Sequence, residues 1–132
     1  MGARRPRAHT QELVVLAYDH ASITATFADK LFTAQRAMRI DKIEYVNPTG
    51  LAADAVNYID LFIKKGTTVV GNWSTETGEE GSLAADTIVN FTLSSTDTDL
   101  VADAADVISF GGTEGGAVTL PAGRVIIHGR YI

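Results

Sequence analysis

Arg124-Val125-Ile126-Ile127-His128-Gly129-Arg130-Tyr131-Ile132 closes the chain on an alternation. Val125, Ile127 and Tyr131 fall on one face of an extended segment and Arg124, His128 and Arg130 on the other, the mark of a strand with one side in a core. The same period of two recurs upstream. Residues 57–65 set Ile59, Leu61 and Ile63 inward against Tyr58, Asp60, Phe62 and Lys64 outward, with Lys65-Gly66 as the turn into a further strand at 67–74. Two aromatic rings on an outer face are unusual. Residues 87–93 place Val89, Phe91 and Leu93 on one side, and 106–110 form a shorter strand ended by a flexible glycine-rich loop, Gly111 to Gly116.

Earlier in the chain, 22–27 and 38–46 read as strands, the second closed by Asn47-Pro48-Thr49-Gly50, a strong turn signal. Residues 11–17 suit a strand or a single helical turn, and 28–37, with Leu31 and Phe32 among good helix formers, suit one short helix. About eight short strands with turn-rich joints imply an all-β fold, a β-sandwich of jelly-roll type with at most one short helix. Leu51-Ala52-Ala53-Asp54 and Leu83-Ala84-Ala85-Asp86 repeat one pattern ahead of two strands. Two copies read as shared loop-to-strand chemistry, since solenoids need at least three units.

The chain has 132 residues, of which 45% are hydrophobic, and no cysteine. That length buries enough surface for one domain without disulfides or metals, and the cysteine count excludes a thiol nucleophile, a zinc ribbon or an iron–sulfur site. No apolar run approaches the roughly 18 residues that cross a bilayer, so no membrane partner is expected. The net charge of -5 conceals a segregation. Residues 1–9 hold Arg4, Arg5 and Arg7 and no acid, whereas residues 66–123 hold nine carboxylates and neither lysine nor arginine. The chain therefore divides into a basic N-terminal arm, 1–10, and an acidic domain, 11–132. An acidic body repels phosphate, so no nucleic acid is expected to bind it.

Chemistry-bearing patterns are sparse. His9, His20 and His128 are far apart, lack metal-ligand spacing and are read as surface residues. Asp97-Thr98-Asp99 resembles the start of a calcium loop, but Ala102 stands where the EF-hand needs glycine and Ile108 where it needs glutamate. An Asp-rich turn is the simpler reading, with a looser site through Asp103 left open. The Gly111 to Gly116 stretch lacks the ending of a phosphate loop, and Gly-x-Ser-x-Gly is missing. No catalytic residue, cofactor or metal ligand is assigned.

The segments 38–46, 57–66, 93–97, 105–108 and Leu120-Pro121-Ala122-Gly123-Arg124-Val125 together resemble the jelly-roll cement, or decoration, proteins of tailed-bacteriophage capsids, over residues 22–132. The resemblance implies a structural virion protein, made in the host cytoplasm. It would bind the outer surface of the head as a dimer or trimer and bridge subunits of the major capsid protein. Arg4, Arg5 and Arg7 are then the capsid-contact arm, and outward Tyr58 and Phe62 the subunit interface, where aromatic side chains supply much of the energy. The alternative is a carbohydrate- or receptor-binding module of a head fibre or tail, with Trp73, Tyr58, Tyr45 and the loop from Asp97 to Asp106 as its candidates. An enzyme ranks last, for want of a histidine cluster or nucleophile arrangement.

Overall fold

A computed structural model describes residues 12–132. Ten strands follow in chain order: β1 (Leu13–His20), β2 (Phe27–Thr33), β3 (Met38–Val46), β4 (Ile59–Lys65), β5 (Thr68–Ser74), β6 (Ile88–Asn90), β7 (Thr92–Leu93), β8 (Val101–Ala102), β9 (Val107–Glu114) and β10 (Gly123–Tyr131). One 3₁₀ turn spans Asp97–Leu100. The first sheet runs β1-β10-β3-β6, with β8 also on β3, and the second runs β2-β9-β4-β5-β7. All neighbours are antiparallel.

Set aside the two-residue strands β7 and β8 and count the other eight in order. The sheets then read first, eighth, third, sixth and second, seventh, fourth, fifth. A long antiparallel ribbon pairing first with eighth, second with seventh, third with sixth and fourth with fifth, rolled once around itself, gives this order: it is a jelly roll. The expected sandwich and its topology are both present.

Alternation accounts for the core. Ile40, Ile43 and Tyr45 of β3, Ile59, Leu61 and Ile63 of β4, Ile108 and Phe110 of β9, and Val125 and Ile127 of β10 are buried between the sheets. Each fully buried Leu, Ile or Phe contributes about 1.5–3 kcal/mol. The segment read as one strand at 87–93 splits, β6 pairing with β3 and β7 with β5, so the chain changes sheets at Phe91. The strand at 22–27 shrinks to a single bridge, Ile23 to Leu120.

Two expectations need correction. The helix placed at 28–37 is instead strand β2, laddered on β9 from Phe27↔Gly112 to Thr33↔Val107. A bulge between Lys30 and Phe32 interrupts the alternation, which is why adjacent Leu31 and Phe32 mimicked a helical stripe. The glycine loop does not begin at Gly111: β9 runs through Gly111 and Gly112, both buried, to Glu114. The outward Phe62 explains this, since its register partner is Gly111 and a Cβ there would sit 2.5 Å from Phe62 Cε1. Bare glycine backbone in a strand is thus covered by an aromatic ring from the next strand.

Candidate functional site

The strand directions gather four loops, 21–26, 47–58, 75–87 and 115–122, at one end of the sandwich. Together they carry Asp54, Glu76, Glu79, Glu80 and Asp86 and no lysine or arginine. The two repeated tetrapeptides meet here. Leu51 and Leu83 exchange both backbone hydrogen bonds, at 2.9 and 2.8 Å, and bind the second and third loops into one platform. Asp54 accepts from the backbone N–H groups of Val56 and Asn57, which holds its carboxyl below the usual carboxylate range.

At the opposite end one acid of the base-free stretch, Asp97, meets a base from elsewhere in the chain. Arg39 Nη2 donates to Asp97 Oδ1 at 2.5 Å, which lowers the Asp97 pKa, and Lys65 Nζ donates to the carbonyls of Thr98 and Val101. Asp99 accepts from Ser94 Oγ at 2.6 Å. The residues read as a possible calcium loop are thus engaged in an ion pair and a turn, and among the described residues no group of three metal-ligating side chains is assembled. Among the described residues Asp97 is therefore the one acid of the base-free stretch in an ion pair, and the five loop carboxylates at the other end have none.

Beneath the unmatched end lies a polar network. His20, the last residue of β1, is 4% exposed, which corrects its reading as a surface residue. Its Nδ1–H donates to Ala21 O at 2.7 Å, so Nε2 is left to accept the Tyr45 hydroxyl at 2.6 Å. Asn47 Nδ2 donates to Tyr45 Oη at 3.2 Å and to Pro121 O at 2.6 Å. Burial pushes the Tyr45 phenol up to about 12 and lowers the His20 pKa, against the raising effect of the Ala21 carbonyl. Gly123 makes room for this, since a Cβ there would lie 2.6 Å from Tyr45 Oη. Above the network opens a cavity of about 470 Å³ whose rim carries Asp19, Arg124, Pro48 and Asp86. Arg124 donates to Asp19 from Nε and Nη2, at 2.6 and 3.1 Å.

The other candidates separate. Arg4, Arg5 and Arg7 lie outside the described residues. Phe62 projects from the outer face of the second sheet, half-buried against Gly111 with Lys64 Nζ 4.3 Å from its ring centre, while Tyr58, in the loop just ahead of β4, lies half-buried against Gly115. Of the candidates for a sugar platform, Tyr45 is wholly buried. Trp73 is half-buried against the core with its Nε1–H donated to Gly81 O at 2.9 Å. His128, on the outer face of the first sheet, pairs with Glu44.

No protein-family model matches the chain, and no curated protein does. Among solved structures it is similar to the VP2 subviral particle of infectious bursal disease virus, at 12% identity and a TM-score of 0.47, over 99% of this chain and 37% of that one. It is also similar to the structure of the Gx strain of that virus, at 12% identity and a TM-score of 0.45, with the same coverage. Against the T13 particle of the virus the identity is 11% and the TM-score 0.43, over 89% of this chain and 30% of that one. The chain spans about a third of the length of these structures' chains. The jelly-roll assignment rests on the strand order itself.

Proposed function

We propose that the chain is a structural virion protein, a capsid decoration or cement protein that binds the outside of a phage head and bridges subunits of the major capsid protein. The observation that carries this reading is the jelly-roll strand order, joined at one end to a loop platform with five carboxylates and no base. The resemblance of residues 22–132 to phage cement proteins supports it further. The protein acts by contact. Its arginine-rich arm and its acidic end offer opposite charges to two different neighbours, and the uncovered parts of the Tyr58 and Phe62 rings offer apolar contact to a third. Each contact is weak by itself, and simultaneous engagement of two or three subunits raises the avidity by about 10²–10⁴.

Co-sedimentation tests the reading. The protein, mixed with undecorated heads of its phage, pellets with them at a fixed ratio to the major capsid protein. Failure to pellet at any ratio overturns it, and saturable binding to a glycan by protein that ignores the heads assigns it to the receptor-binding class instead.

A further inference from the structure

β1 is a long sheet edge with no protecting device. It pairs with β10 on one side through eight unbroken register positions, Leu13↔Arg130 to His20↔Gly123, and among the described residues no strand lies on its other side. It contains neither proline nor lysine nor a bulge, the usual means of blunting an edge. The opposite edges are short: β6 has three residues, β7 and β8 two each. The burial of inward-facing residues also falls away toward β1. Val125 and Ile127 on β10 are fully buried, while Val14, Leu16 and Tyr18 on β1 are only half-buried. Between β1 and β2 this leaves an apolar groove of about 330 Å³ walled by Val14, Leu16, Phe32, Met38 and Tyr131. On the outer face of the same strand Leu13 is 79% exposed and Val15 61%.

We infer that β1 pairs with the β1 of a second copy of this chain, antiparallel about a two-fold axis centred on Val15. Only a register that sets odd positions against odd and even against even keeps the inner faces of the two sheets continuous. Centred on Val15, such a register sets Leu13 against Ala17, Val14 against Leu16 and Val15 against itself, so every pair from 13 to 17 is apolar. The pair flanking this stretch is Glu12 with Tyr18, whose hydroxyl is polar, whereas centred on Leu16 the flanking pair is Leu13 with Asp19, and centred on Val14 Glu12 meets Leu16 after only three apolar positions. The strand can therefore pair with its own copy over five apolar positions, as an isologous interface requires, and centring on Val15 is the register that keeps Asp19 away from Leu13.

Sedimentation velocity on the full chain in solution tests this without any shell, so its failure and that of the capsid reading are distinguishable. The chain sediments as a dimer at micromolar concentration. Val15→Lys raises the dissociation constant by about tenfold or more, since like charges meet at the axis, while circular dichroism shows the sandwich intact. The natural lack of cysteine allows a second measurement. Val15→Cys cross-links under mild oxidation faster than Val69→Cys, whose position is exposed on the other sheet. A monomer at every concentration, a dimer indifferent to Val15→Lys, or equal cross-linking at 15 and 69 overturns the pairing.

Discussion

Tyr45 donates its hydroxyl to Nε2 of His20 across 2.6 Å, and this buried bond joins the end of β1 to the end of β3 where the loops gather. The Tyr45 oxygen also accepts from Asn47, which reaches on to Pro121, so three segments distant in sequence are held by one satisfied chain of donors and acceptors. Such a network is costly to leave half-made.

Tyr45→Phe removes the hydroxyl while keeping the ring, and leaves His20 Nε2 as a buried acceptor without a donor. The expected loss is about 1–3 kcal/mol of unfolding free energy, read from urea titration with the slope unchanged.

Acidification acts on the same bond. Burial lowers the His20 pKa in the folded state, so below the ordinary value of 6.5 the unfolded chain takes up a proton that the folded one refuses. The stability that neutral His20 contributes is full above that value and declines as the pH falls toward the folded pKa. The urea midpoint drops between about pH 7.5 and about pH 5.5, the range in which an ordinary histidine titrates, and His20→Gln flattens the drop. The carboxylates of Asp19 and Asp97, held low by Arg124 and Arg39, lose their contribution only below the ordinary Asp range near about 4.

Gly111→Ala places a Cβ 2.5 Å from Phe62 Cε1 and 2.8 Å from the backbone oxygen of Phe27. The ring can swing but the carbonyl belongs to the β2 ladder, so the substitution costs about 1–3 kcal/mol by overpacking, measurable as a lowered thermal midpoint. In a double-mutant cycle with Phe62→Ala the penalty of Gly111→Ala shrinks but does not vanish, because the ring contact is gone and the Phe27 carbonyl stays.

Deleting residues 1–9 removes three arginines from a chain whose described core does not include them. The truncated protein keeps its urea midpoint and occupies fewer sites on undecorated heads, with a weaker response to salt. Full occupancy at unchanged salt response shows that the arm takes no part.

Much of this architecture was legible because β4 and β10 alternate strictly, and β3 does so on either side of one bulge at Asp41 and Lys42, and all three lie at the centre of their sheets, where burial enforces the period. What was not legible came from pairs distant in sequence. Gly111 and Gly112 read as a loop until Phe62 and Phe27, on neighbouring strands, covered them. Leu31 and Phe32 read as helical because a bulge set two apolar residues side by side. The burial of His20 had a signal in the chain, since it shares parity with Val14, Leu16 and Tyr18, but only if residues 13–20 are taken as one strand. The base-free stretch was visible as charge, whereas its contacts were not: Arg39 comes from another strand to pair with Asp97 and Lys65 to hold the carbonyls of Thr98 and Val101, while the loop carboxylates have no ion pair among the described residues.

The most direct measurement of the central claim is cryo-electron microscopy of heads prepared with and without the protein. The account predicts added density of one sandwich per chain on the outside of the shell, each touching two or more subunits of the major capsid protein. Shells identical in the two preparations, or closed shells built from this chain alone, contradict it.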